Sequence, residues 1–158
     1  RSEMQNFRAP SDDYAALREQ ALQTGPISIH LRLGDYIGLE SIYGSLDPDY
    51  LERALQHLSD GSQPIWVFTR FADEIPKNVL AALNPERIVD EGTLESPLEN
   101  LLLMSKSRGL VCSNSTLSWW AALISDYPEN IVAPRFTGKT NIFSEEMTME
   151  DWTVLSVA

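Results

Sequence analysis

Short alternating or continuous apolar runs along the chain are separated by longer stretches with helical spacing. In residues 26–33, Ile27, Ile29, Leu31 and Leu33 alternate with Ser28, His30 and Arg32. That period of two predicts a β-strand over about 26–33. Ile65-Trp66-Val67-Phe68-Thr69 and Gly109-Leu110-Val111-Cys112-Ser113 are continuous apolar runs of strand length, the pattern of strands buried on both faces. Further strands are expected at Arg87-Ile88-Val89 and at residues 131–134, and residues 151–155 are expected to return and dock on the core.

Helices fill the intervals. Ser11 as N-cap, acids Asp12 and Asp13, and a face of Tyr14, Leu17 and Ala21 predict a first helix that Gly25 stops. Asp47-Pro48 opens a second, with Tyr50, Leu51, Ala54, Leu55 and Leu58 inward, His57 outside that stripe and Asp60-Gly61 at its end. A weaker helix is expected over residues 73–83. Ser96-Pro97-Leu98-Glu99 satisfies a capping box and opens another. Residues 114–124 read as a polar turn followed by a helix. Strands and helices alternate throughout, so the expected class is α/β with a mainly parallel sheet and flanking helices.

Composition narrows the function classes. With 158 residues, 43% of them hydrophobic, the chain fits one domain with a proper core. No apolar run approaches the ~20 residues of a membrane span, and the opening residues do not read as a signal peptide. The sequence begins at Arg1, so a fragment of a longer protein is expected. One cysteine, Cys112, excludes an intrachain disulfide and points to a reducing, cytoplasmic setting. Its apolar strand predicts a buried, inert thiol. The net charge of −11 argues against nucleic acid or an anionic membrane as a partner of the bare chain. An anionic small ligand needs local donors that overcome that field.

Two stretches offer such donors. His30 and Arg32 gather at the C-terminal end of their strand, and open α/β sheets bind ligands beyond the carboxyl ends of their strands. An arginine there can grip a phosphate bidentately; the alternative is an edge strand with a solvated polar face. Asn114-Ser115-Thr116-Leu117-Ser118 places hydroxyls at a strand-to-helix junction, where free helix N–H groups favour an anion; ordinary N-capping by one of them is the alternative. Asn114-Ser115-Thr116 is also a glycosylation sequon, incidental at a buried junction. Asp47-Pro48-Asp49 is a literal Asp-x-Asp, a form many glycosyltransferases use to hold a metal, but helix capping accounts for both carboxylates. One cysteine and two histidines cannot form a closed metal site, and neither a Walker loop nor Gly-x-Gly-x-x-Gly is present.

Together these stretches resemble a family. His30-Leu31-Arg32-Leu33-Gly34-Asp35-Tyr36 is similar to the His-x-Arg-Arg-x-Asp-Tyr motif of α-1,2-fucosyltransferases, glycosyltransferase family 11. Leu103-Met104-Ser105 followed by residues 113–122 resembles that family's second hallmark. The Ala133-Pro134 strand and Asp151-Trp152 fit its C-terminal end, so the likeness covers roughly residues 26–155. It implies a Rossmann-like donor domain, one half of a GT-B type glycosyltransferase, that handles GDP-fucose without a metal or other cofactor and inverts the anomeric centre. It implies that His30 contacts the guanosine, that Arg32 grips the β-phosphate, and that Thr116, with Ser115 beside it, touches the diphosphate. On this reading residues 1–25 are an N-terminal segment and helix, and residues 26–158 are the donor-binding domain. The acceptor-binding half lies elsewhere, and peripheral membrane association would have to come through that missing part.

Three departures from the pattern stand out. The second motif arginine is Leu33. The family's guanine-reading aspartate is Asn100, whose amide has one accepting oxygen where a carboxylate has two. The Phe-Ser-Asp-Asp element is replaced by Phe68-Thr69-Arg70-Phe71, in which Arg70 either adds a phosphate contact or is simply exposed. The resulting expectation is a bacterial-type enzyme moving L-fucose from GDP-fucose to a glycan hydroxyl, forming an α-1,2 linkage to a galactoside. Arg32 would stabilise the departing diphosphate, and Glu40 or Asp35 would serve as general base. Leu33 and Asn100 favour the rival, a non-catalytic nucleotide-binding or interaction module on the same fold.

Overall fold

The computed structural model describes residues 10–34, 38, 39, 42, 44–90, 92–136 and 139–157. Six strands form one sheet: β1 (Ile27–Leu31), β2 (Ile65–Thr69), β3 (Arg87–Val89), β4 (Gly109–Val111), β5 (Ile131–Phe136) and β6 (Thr153–Val157). Their order is β3-β2-β1-β4-β5-β6, and every pairing is parallel. The chain winds outward from β1 to β3, returns to lay β4 on the other side of β1, and continues to β6. This is the doubly wound, Rossmann-like arrangement, with its switch point between β1 and β4.

The helices cover both faces. On one side α2 (Pro48–Leu58) and α3 (Lys77–Leu83) pack Tyr50, Leu51, Ala54, Val79 and Leu83 against Ile27, Ile29 and Leu31. On the other lie α1 (Asp12–Thr24), α4 (Pro97–Met104) and α5 (Thr116–Leu123). They bring Tyr14, Leu17, Leu103, Met104 and Ala122 against Trp66, Phe68 and Leu110. Each helix start follows from its sequence. Ser11 accepts from Tyr14 N–H at 3.1 Å, Asp47 from Tyr50 N–H at 2.8 Å, and Ser96 from Glu99 N–H at 3.3 Å. Gly25 ends α1 in the left-handed region, φ 59°, with its N–H on Ala21 O.

Several expectations need correction. β1 is not an edge strand with a wet face but a central strand, buried along its whole length. Its alternation is real, yet the polar face is covered too. Ser28 Oγ lies 2.5 Å from Ser107 Oγ, and His30 Nδ1 lies 2.6 Å from Ser113 Oγ. β1 ends at Leu31 rather than residue 33, α2 stops at Leu58, β4 stops at Val111, and β5 runs on to Phe136. The helix expected over residues 73–83 is split into a 3-10 turn (Ala72–Glu74) and α3, because Pro76 cannot sit inside a helix. Residues 153–157, which begin inside the expected returning segment and run two residues past it, form a full edge strand, β6, with Trp152 buried just before its start.

The expected capping box also has an unexpected partner. Besides accepting from Glu95 N–H at 2.8 Å, the Glu99 carboxylate accepts from Ser11 N–H at 2.6 Å, which ties the cap of α1 to α4. Burial works against the charged form of Glu99, but these backbone donors outweigh it and hold the carboxyl below its usual range.

Candidate functional site

A cavity of about 670 Å³ opens over the carboxyl ends of β1, β2 and β3, where open α/β sheets bind ligands. Its floor is the carboxyl end of the sheet: His30 and Arg32 from β1 and the turn after it, Thr69 and Arg70 from β2. One wall is α4, which contributes Asn100. The opposite charge comes from elsewhere, with Asp13 on α1 and Asp90 and Glu95 on the segment joining β3 to α4.

His30 is buried at the base of this cavity. Burial, reinforced by the neighbouring Arg32 charge, pushes its pKa down to about 3, so the ring is neutral at ordinary pH. One ring nitrogen is engaged with Ser113 Oγ, across the β1–β4 switch point. A neutral imidazole held this way can exchange a hydrogen bond with a ligand without adding charge. Arg32, half-buried, supplies the cation at the strand end. Asn100 is tethered by its own helix, its Nδ2 donating to Ser96 O at 3.2 Å, which leaves its accepting oxygen for another partner.

The structure therefore brings His30, Arg32 and Asn100 onto one cavity. It does not bring Ser115 and Thr116 there. Ser115 Oγ accepts from Leu117 N–H at 3.3 Å, the N-cap role, and Thr116 is exposed; the first turn of α5 meets the cavity through Leu117. Glu40, Asp35 and Tyr36 lie outside the described residues. The Asp-x-Asp pair is occupied locally: Asp47 caps α2, and Asp49 pairs with Arg53 at 3.0 Å, one helical turn on. Among the described residues no cluster of three or more His, Cys, Asp or Glu side chains could hold a metal ion. Cys112 is buried, and its thiol pKa is pushed well up by that burial. Among the described residues no helix is long and apolar enough to cross a membrane.

Sequence reasoning gave Ser113, Asp13 and Asp90 no role in the site. Ser113 and Asp90 carry one legible signal, since each follows the last residues of a parallel strand, where crevice residues collect. Asp13 carries none, because only the packing of α1 on α4 brings it near.

Comparison with known proteins identifies the family of the sequence. The sequence model of Glycosyl transferase family 11 matches residues 17–156. The chain is 33% identical over 135 residues to the O-antigen biosynthesis glycosyltransferase WbnK of Escherichia coli, covering 79% of this chain and 43% of that protein. It is 28% identical over 120 residues to the Alpha-1,2-colitosyltransferase of Escherichia coli, covering 70% of this chain and 40% of that protein. The chain thus spans less than half the length of either relative. No solved structure gives a significant match. With nearly the whole described fold inside the matched region, the chain belongs to glycosyltransferase family 11.

Proposed function

We propose that this chain is the donor-binding part of an inverting glycosyltransferase that uses GDP-fucose. It would transfer L-fucose to a sugar hydroxyl, forming an α-1,2 linkage to a galactoside. The observation that carries the reading is the convergence of a neutral His30, a cationic Arg32 and the amide of Asn100 on one cavity at the carboxyl end of the sheet. Asn100 offers one accepting oxygen to the base, and His30 offers an uncharged ring to the nucleoside. Arg32 faces the diphosphate. As the acceptor hydroxyl displaces GDP, negative charge grows on that diphosphate, and a fixed guanidinium stabilises the transition state more than the ground state. Glu40 or Asp35, which follow β1 in the sequence, takes the hydroxyl proton. No metal enters this scheme. The acceptor-binding half of a GT-B enzyme, and any peripheral membrane contact, belong to polypeptide beyond this domain.

A second reading concerns only the sugar. The name of one relative specifies colitosyl transfer, and the same diphosphate grip serves a nucleotide-linked colitosyl donor equally well. The test is titration of the chain with GDP, followed by transfer assays of the full-length enzyme with GDP-fucose and with a colitosyl donor, each with and without EDTA. Micromolar GDP binding and EDTA-resistant fucosyl transfer are expected. Absence of GDP binding would end the reading. Binding without transfer of either sugar would leave the non-catalytic module that Leu33 and Asn100 favour.

A further inference from the structure

We propose that Arg70 is a second cation of the diphosphate grip, acting from β2 as Arg32 acts from β1. The inference rests on the reading of the cavity as a nucleotide-diphosphate-sugar site. β1 and β2 run parallel with Leu31 opposite Thr69, so Arg32 and Arg70 are the next residues off two adjacent strands. Neighbouring strands lie about 4.8 Å apart, which puts two guanidinium stems side by side at one edge of the crevice. Both line the cavity. The motif strand itself provides a single cation, because Leu33 packs on the apolar cluster under α2 and α3.

The cations and the acids of the cavity come from different elements. Arg32 and Arg70 stand at the ends of β1 and β2, while Asp13, Asp90 and Glu95 come from α1 and from the segment before α4. A diphosphate placed beside the carboxylates would be repelled. Placed at the ends of β1 and β2, it meets both guanidiniums.

The local build positions Arg70. Gly34, the turn residue after Arg32 and Leu33, has φ +75°, and a Cβ at that position would overlap the Phe71 ring. Phe71 therefore packs directly on the β1 turn. The Arg70 guanidinium carbon lies 5.1 Å from the centroid of that same ring, within cation–π range. Phe71 N–H donates to Thr69 Oγ1 at 3.3 Å, which fixes the turn after β2. Glycine, phenylalanine and arginine thus form a stack joining the two strand ends, and Phe71 is the positioning residue within it.

The test is calorimetric titration of the chain with GDP, GMP and inorganic pyrophosphate. The proteins compared are wild type, Arg70→Ala, Arg70→Lys and Gly34→Ala. Arg70 is exposed, so its replacement leaves the core intact. Arg70→Ala should weaken GDP and pyrophosphate about 10- to 100-fold, the loss expected for a hydrogen bond to a charged group, and GMP by less than about 3-fold. Arg70→Lys should fall between. Gly34→Ala, which displaces the ring but keeps the arginine, should shift GDP in the same direction. Unchanged GDP affinity in Arg70→Ala, or equal losses for GDP and GMP, would overturn the Arg70 assignment while leaving the donor-site reading standing. Pyrophosphate binding that depends on Arg70 in a protein that ignores GDP would uphold the assignment and remove guanosine from that reading. A wild type that binds neither GDP nor pyrophosphate overturns both.

Discussion

The two faces of the sheet are built to different rules. Under α2 and α3, β1 presents Ile27, Ile29 and Leu31 to an apolar layer. Under α1, α4 and α5, the same strand presents Ser28 and His30, each met by a hydroxyl from a residue 79 or 83 positions away. Both faces are equally dry, yet a polar side chain of the second, His30, lines the cavity. The apolar face sets stability, and the Tyr50 hydroxyl that it buries is left unpaired among the described residues. The polar face accepts the cost of burying hydrogen-bonding groups, satisfies them in pairs, and brings His30 to the cavity.

Four measurements would break or sharpen that contrast. The largest effect should come from Ile29→Ala on the apolar face, which removes a fully buried side chain and costs about 2–5 kcal/mol in denaturant unfolding. GDP affinity of the folded protein should stay within a few-fold; a large loss would show that the faces are not separable. Arg32→Ala should do the reverse, weakening GDP by about 2–4 kcal/mol in calorimetry while shifting stability by less than about 1 kcal/mol.

The third measurement is pH dependence. His30 is neutral in the fold, with a pKa of about 3, against an ordinary value of 6.5. Between those values the unfolded chain binds the extra proton, so the stability that the neutral ring contributes is complete above about 6.5 and drains away as pH falls toward 3. Denaturation midpoints followed from pH 7 to 4 should decline in wild type. They should decline less steeply in His30→Asn, and parallel slopes would show that His30 is not the group responsible. The smallest effect lies on the apolar face. The Tyr50 hydroxyl is buried with no hydrogen-bond partner among the described residues, and burial raises its pKa well above the usual value. Tyr50→Phe should therefore raise stability by about 0.5–1 kcal/mol in thermal melts, since an unpaired buried hydroxyl is a cost. A loss of more than that would reveal a partner for the hydroxyl.

Much of the fold was legible because local chemistry and tertiary packing agree. Ser11, Gly25, Asp47-Pro48 and Ser96-Pro97 mark helix ends that the structure keeps. The continuous apolar run of β2 correctly signals burial on both faces. The alternation of β1 misleads about exposure, because the hydroxyls that satisfy Ser28 and His30 arrive from Ser107 and Ser113, and periodicity carries no record of a distant partner. Pro76 was a readable break that the apolar spacing of residues 73–83 obscured. In the site, His30, Arg32 and Asn100 were legible because strand ends and helix faces are fixed by the topology. The hydroxyls of residues 115 and 116 were not, since the same sequence serves a helix cap and an anion cradle, and only the direction of the first turn separates them. Glu99 shows the opposite failure. Its pattern promises a purely local box, whereas its carboxylate also reaches 88 residues back to Ser11.

Asn114 gives the molecule a chemical clock. Its amide answers for two backbone groups, donating to Thr140 O at 2.6 Å and accepting from Ile142 N–H at 2.7 Å. Thr140 in turn donates its N–H to Ile42 O at 3.0 Å, so the segment after β5 hangs between the end of β4 and the loop that follows β1. Asparagine followed by serine ages by attack of the next backbone nitrogen on the side-chain amide. Here that nitrogen, Ser115 N, is already committed to Ser113 O at 2.7 Å, and the amide itself is buried. Ageing at this site must therefore wait for local opening, and its rate reports how often the segment after β5 comes away from the end of β4. Once it happens, the damage does not fade on reclosing. A carboxylate at position 114 meets the Thr140 carbonyl as one acceptor facing another, and the strap across three loops lets go at its middle.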